Sequence, residues 1–238
     1  VERSRGLGDV YKRQTLCHQR YLHNDATQPP KNANDGLDFA HLIDALGELA
    51  PDDSVITNDA GNFTSWMHHR FPFRSSMTLI GSEIGAMGMG IPAGIAAALR
   101  FPDRQVFSIV GDGGALMTGS ELATAVAQNA NIRVIIANNQ HYGTIRYHQE
   151  VHFPTRDHYA TNLVNPDFAK YGESFGLRCF TIEKIEEISP AIQEAMEVNG
   201  PSLIEFKMSL ELNTSTTTIS QLQVCLLYTS PSPRDLST

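Results

Sequence analysis

Long apolar runs are absent from this chain of 238 residues. No segment approaches the roughly 18 consecutive apolar residues that a membrane-spanning helix needs, so no membrane partner is expected. Cysteine is scarce. Cys17, Cys179 and Cys225 lie far apart and form no metal-type spacing, and reduced thiols in a cytoplasmic protein are the plain reading. Basic residues are outnumbered, with 18 Lys and Arg against 26 Asp and Glu and a formal charge of −8. The acidic residues are spread along the chain, a balance that favours solubility and argues against a nucleic-acid partner. What remains, 41% hydrophobic and 18% charged residues, is ordinary globular composition, enough for one sizeable core in one or two domains.

Both ends differ from the middle. VERSRGLGDVYKRQ (1–14) carries charges with no following apolar stretch, so it is not a secretory signal. It and VCLLYTSPSPRDLST (224–238) show no usable periodicity. They resemble translated sequencing-adapter read-through and are expected to be non-native. Residues 15–36, polar and containing Pro29, Pro30 and Gly36, read as a linker. The folded domain is expected over 37–210, with a C-terminal extension at 211–223.

Within 37–210 apolar helices alternate with short strands. Phe39, Leu42, Ile43, Leu46 and Leu49 recur at helical spacing until Pro51. Strands are predicted at 54–57, 77–80, 105–110, 132–137, 178–182 and 202–207. Helices are predicted around Trp66, at 84–99, 116–129, 167–175 and 185–198. His68 and His69 are expected on a helix surface, and 139–165 reads as a long polar segment rich in His and aromatics. Strands such as QVFSIV and IRVIIA lack polar alternation, as expected of strands buried on both faces. The pattern implies an α/β fold: a doubly wound, mostly parallel sheet of about five to six strands with helices on both faces.

Ligands in such sheets bind at the carboxyl ends of strands. QVFSIV ends in Gly111-Asp112-Gly113-Gly114, and the next strand, IRVIIA, ends in Asn138-Asn139. Consecutive parallel strands are usually neighbours, which puts Asp112 and Asn139 side by side. One carboxylate and one amide oxygen, with room for water and phosphate, suit Mg²⁺. Glycines let the backbone approach a diphosphate, and a following helix start offers N–H donors. The metal then supplies the positive charge that an acidic chain lacks.

Gly-Asp-Gly followed at this distance by Asn-Asn resembles the signature of thiamine-diphosphate-dependent enzymes. Residues 111–139 are similar to the acetolactate synthase and benzoylformate decarboxylase group, with Glu121-Leu122-Ala123-Thr124-Ala125 strengthening the likeness. The resemblance covers roughly 37–210 and implies the diphosphate-binding, C-terminal domain, with thiamine diphosphate and Mg²⁺ as cofactors. It implies Asp112, the Asn139 side chain and the His141 backbone carbonyl as metal ligands, and Gly111, Gly113, Gly114, Tyr142 and Gly143 around the cofactor. Gly85-Ala86-Met87-Gly88-Met89-Gly90-Ile91-Pro92-Ala93 resembles the family's Gly-x-Met-Gly-x-Gly-x-Pro-Ala run. There Met87 takes the place of the apolar wedge that bends the cofactor, and the Gly85 carbonyl accepts from its aminopyrimidine.

The implied reaction is decarboxylation of a 2-oxo acid and transfer of the remaining fragment to a carbonyl acceptor, or simple decarboxylation. The family's catalytic glutamate lies on a separate pyrimidine-binding domain, usually across a subunit interface in a homodimer or homotetramer. Glu83 and Glu121 match no such role, so the chain alone is expected to be inactive and carries no catalytic residue of its own. Acetolactate synthases that favour 2-oxobutyrate carry Trp where this chain has His148, which weakens a biosynthetic reading. Arg146, His148 and His152 suit either contacts to a substrate carboxylate or a solvated lid.

Two other readings compete. Gly88-x-Gly90-x-x-Ala93 fits a dinucleotide fingerprint, with Asp112 as a ribose-binding acid, and suggests an NAD-dependent dehydrogenase. Against it, these glycines are predicted inside a helix, and Asn138-Asn139 is left unexplained. A non-catalytic binding domain is the other, and lost metal ligands would mark it.

Overall fold

The computed structural model describes residues 5–25, 29–153 and 157–228. The element order is α1 (Arg5–Asp25), α2 (Phe39–Leu49), β1 (Val55–Asn58), α3 (Thr64–Arg70), β2 (Thr78–Gly81), α4 (Gly90–Arg100), β3 (Val106–Gly111), α5 (Asp112–Thr118), α6 (Leu122–Ala127), β4 (Ile132–Asn138), α7 (Gly143–His152), α8 (Phe168–Ser174), β5 (Arg178–Ile182), α9 (Ile188–Glu197), β6 (Ser202–Lys207) and α10 (Ile219–Tyr228).

The six strands form one parallel sheet in the order β2-β1-β3-β4-β6-β5. Every residue of β1 and β4 is buried, whereas the edge strand β2 alternates between half-buried and exposed. This contrast is why the central strands read as unbroken apolar runs. One face carries α2, α3 and α9 over a core that includes Phe39, Trp66, Ile192 and Phe206. The other carries α4, α6 and α8 over Ile91, Ile95, Leu122, Ala125 and Phe168. Asp38 caps α2, its Oδ1 accepting from Ala40 N at 2.9 Å and from Trp66 Nε1 at 2.8 Å, which ties α2 to α3. From β1 the chain winds outward to β2 and then returns to β3 on the other side. The switch point of the doubly wound sheet therefore lies between β1 and β3, where a ligand crevice is expected.

Several expectations are corrected. The helix predicted at 84–99 begins only at Gly90. Residues 85–89 form a turn in which Gly85 (φ +66°) and Gly88 (φ +87°) take left-handed backbone that a helix cannot use. The objection that the fingerprint glycines sit inside a helix therefore fails for Gly88, while Gly90 opens α4. The helix predicted at 116–129 starts at Asp112, so Asp112, Gly113 and Gly114 are its first turn rather than a loop before it. It breaks at a 3-10 turn, Gly119–Glu121, and resumes as α6. The polar segment 139–165 contains α7. The helix α1 crosses the boundary expected between tail and linker, and its described side chains at Val10, Tyr11 and Leu16 are exposed. Residues 1–4 and 229–238 of the expected tails lie outside the described residues. The extension is packed: Leu212, Asn213 and Ile219 are buried. No described helix is long and apolar enough to cross a membrane.

Candidate functional site

At the carboxyl ends of β1, β3 and β4 lies a cleft. It is lined from the β1 end by Ala60–Phe63, from the β3 end by Gly111–Gly113, and from the β4 end by Asn139 and His141–Ile145. Met87, Met208 and Asn213 complete its wall. The pairing of β3 with β4 places Gly111 opposite Ala137, so the two polar strand ends emerge together, as the sequence spacing anticipated.

Asp112 is 3% exposed. Its Oδ1 accepts from Gly113 N and its Oδ2 from Asn165 Nδ2, both at 2.8 Å. Burial raises its pKa from the usual carboxylate value, against the hydrogen bonds from Asn165 and the backbone. No Lys or Arg pairs with it among the described residues. Asn139 Oδ1 accepts from His141 N at 3.0 Å. Nδ1 of His141 sits 3.0 Å from the Asn139 carbonyl; a carbonyl can only accept, so Nδ1 carries the proton. The His141 carbonyl itself accepts from Gly143 N at 2.9 Å. Gln140, between them, has φ +58°, a tight reversal that turns the chain from β4 into the cleft. Among the described residues no three His, Cys, Asp or Glu side chains cluster as a metal site; the expected donor set contains only one such side chain, Asp112.

The glycines are placed unequally. A Cβ on Gly113 would lie 2.6 Å from Tyr142 Cε1 and 3.1 Å from Met87 Cε, so the tyrosine ring and the methionine tip converge over this residue. Gly114 does not line the cleft. A Cβ there would overlap Asp59 Oδ2 and lie 3.1 Å from Asp59 Cγ. Gly85 lies in a second, more open cleft lined also by Asn58, Asp59, His68, Ser82 and Glu83, which shares Ala60 and Gly61 with the first. Glu121 accepts from Thr124 Oγ1 at 2.9 Å and is outside both clefts. His68 is exposed, and His69 reaches Ser215 Oγ at 2.7 Å.

Several contributors escaped the sequence reading. Asp59, 1% exposed, accepts from Gly88 N at 2.8 Å, Met89 N at 3.2 Å and Ala60 N at 3.1 Å, and so holds the turn that carries Met87. Asn213 Nδ2 donates to the Gly143 carbonyl at 2.9 Å, and its Oδ1 accepts from Asn62 Nδ2 at 3.4 Å. Thr144 Oγ1 donates to Asn62 Oδ1 at 3.0 Å. The only local hint was the Asn58-Asp59-Ala60-Gly61 turn. Arg146 is not free for a substrate: its guanidinium binds the buried Glu150 at 2.7 Å, which also faces His158 and Gln223. His148 and His152 stack on exposed faces of α7, with centroids 5.9 Å apart.

The family model described as "Thiamine pyrophosphate enzyme, C-terminal TPP binding domain" matches residues 59–206. The chain belongs to this family. It is 33% identical over 195 residues to the thiamine pyrophosphate-containing protein YdaP of Bacillus subtilis (strain 168), a match covering 82% of this chain and 34% of that protein. It is 30% identical over 184 residues to the acetolactate synthase isozyme 1 large subunit of Escherichia coli (strain K12), covering 77% and 33% respectively. The Rhodococcus jostii RHA1 thiamine diphosphate-dependent 4-hydroxybenzoylformate decarboxylase has a similar structure, with a TM-score of 0.72 and 26% identity, covering 77% of this chain and 34% of that one. The chain thus spans 34% and 33% of these two curated relatives, about a third of each. The nicotinamide-dependent reading has no support from these matches.

Proposed function

We propose that the cleft binds thiamine diphosphate with Mg²⁺, and that the chain is the diphosphate half-site of an acetolactate synthase-like enzyme acting on a 2-oxo acid. One observation carries the reading. Asp112 is a buried carboxylate, raised in pKa by burial, with no Lys or Arg partner among the described residues, in a cleft where a Cβ on Gly113 would meet Tyr142 and Met87. A bound cation would offset the cost of burying this carboxylate in its charged form. Mg²⁺ accepts a carboxylate, an amide oxygen and a carbonyl while keeping other sites for phosphate and water. Asp112, Asn139 and the His141 carbonyl form that donor set.

Thiamine diphosphate, when bound, supplies the electron sink that loss of CO₂ from a 2-oxo acid requires. The chain's own residues bind and orient. Gly111 and Gly113 leave the backbone open to a diphosphate. Met87 and Tyr142 narrow the cleft above Gly113, and the Asn62–Asn213–Gly143 bonds fix its wall. Among the described residues no glutamate lines the cleft. The proton relay accordingly falls to a glutamate on a pyrimidine-binding domain, in a homodimeric or homotetrameric cytoplasmic enzyme, and this chain alone is inactive. Transfer to a carbonyl acceptor is favoured over simple decarboxylation by the acetolactate synthases among the relatives.

Calorimetric titration with thiamine diphosphate, in Mg²⁺ and then in EDTA, tests the site. Mg²⁺-dependent binding that is lost in Asp112→Ala and Asn139→Ala is expected. Unchanged affinity in both variants, or binding of NAD instead, would overturn the assignment.

A further inference from the structure

Asp112 is the end of a longer chain of side chains. Glu205, on the inner strand β6, is 1% exposed. Its Oε1 accepts from Lys207 Nζ and from Asn138 Nδ2, each at 2.6 Å. A carboxylate only accepts, so the nitrogen of the Asn138 amide must face Glu205 and its oxygen must face away. That oxygen accepts from Gln140 N at 3.2 Å and from Asn165 Nδ2 at 2.8 Å. The Asn165 amide is thereby fixed in turn, and the same nitrogen donates to Asp112 Oδ2 at 2.8 Å. The Oδ1 of Asn165 is buried without a partner among the described residues. Both hydrogens of its amide nitrogen are used, one on the Asp112 carboxylate and one on the Asn138 oxygen, while its own oxygen accepts nothing there.

We infer that Glu205, Asn138 and Asn165 form a positioning relay that sets the rotation of the Asp112 carboxylate for its cation. The inference rests on the proposed role of Asp112 as a metal ligand. Gly113 N holds one carboxylate oxygen and Asn165 the other, so the plane of the carboxylate is fixed before a cation arrives, and each oxygen keeps a lone pair for it. Partners of this kind orient ligands and typically change metal affinity by about 10–100-fold when removed. Glu205 acts only through the two asparagines. Its effect therefore disappears once Asn165 is gone.

The test is a double-mutant cycle on the 238-residue chain, read by electron paramagnetic resonance titration of Mn²⁺ in the presence of thiamine diphosphate. Asn165→Ala is expected to weaken Mn²⁺ about 10–100-fold. Glu205→Gln is expected to weaken it less, and the double variant no more than Asn165→Ala alone. A merely structural role would instead lower the thermal midpoint of the ligand-free chain and give additive effects. Wild-type Mn²⁺ affinity in Asn165→Ala, or additivity in the cycle, overturns the relay. Wild-type affinity in Asp112→Ala, or no Mn²⁺ binding by the unmodified chain, overturns the site reading beneath it. If Glu205→Gln does not fold, Lys207→Met takes its place in the cycle.

Discussion

Gly114→Ala tests the contact between the start of α5 and the end of β1. Gly114 has ordinary helical backbone, so alanine brings a helix-propensity gain of up to about 1 kcal/mol. Against this, the new Cβ would overlap Asp59 Oδ2. Asp59 cannot give way freely, because its carboxylate is held by Gly88 N at 2.8 Å and Met89 N at 3.2 Å. Overpacking costs about 1–3 kcal/mol, and losing one hydrogen bond to the buried charge adds about 1.5–3 kcal/mol. The net destabilisation is roughly 2–4 kcal/mol, or about 5–15 °C in thermal midpoint for a domain of this size. Urea unfolding followed by the fluorescence of Trp66, the single tryptophan, measures it. Gly113→Ala is the control. Its Cβ meets the far ends of Tyr142 and Met87 over an open cleft, and these can swing aside, so its stability should stay within about 1 kcal/mol of the parent. Equal stability of the two variants would refute the reasoning.

Other consequences can be measured directly. Arg133, 1% exposed at the foot of β4, donates to the carbonyls of Gly200, Met196 and Val198 and to Asn131. Burial lowers its pKa to about 10. Arg133→Leu should cost about 3 kcal/mol or more by stranding those acceptors, and Arg133→Lys should recover little, since one ammonium cannot replace a planar fork; chemical denaturation decides both. Burial pushes the Cys179 thiol from 9.0 up to about 12. Its thiolate fraction at pH 8 is then roughly a thousandfold lower than at the ordinary value. Peptide mapping of iodoacetamide-treated protein should show exposed Cys17 modified long before half-buried Cys179, and equal rates would contradict the raised pKa of Cys179.

The parts of the fold legible in the sequence were those with short-range causes. QVFSIV and IRVIIA read as buried strands because each is apolar on both faces, and α2 read as a helix because its apolar stripe ends at Pro51. Asp112 and Asn139 were legible because each ends its strand and consecutive parallel strands pair. The failures have long-range causes. Residues 84–89 have the small apolar composition of the helix that follows, and what keeps them out of it is Asp59, bonded to Gly88 across 29 positions. Asn165 and Glu205 gave no local signal, since their partners lie 53 and 67 positions away. Whether Arg146 met a substrate carboxylate or solvent could not be read locally, because its buried partner Glu150 carries no sign of burial in the sequence. The insertion of β6 between β4 and β5 depends on crossover geometry that no periodicity records.

The Asn213 contacts bear on the order in which the molecule completes itself. One wall of the cleft is made of residues 62, 143 and 213, joined across 151 and 70 positions. A chain made from its N-terminus forms the β3–β4 pair, and with it the polar strand ends, before residue 213 exists. The cleft can therefore hold its donors in place and still lack a side until residue 213 arrives. Shortening the protein at residue 210, a boundary that composition alone recommends, would take the buried Leu212 from the core and leave the cleft open along the side of Gly143.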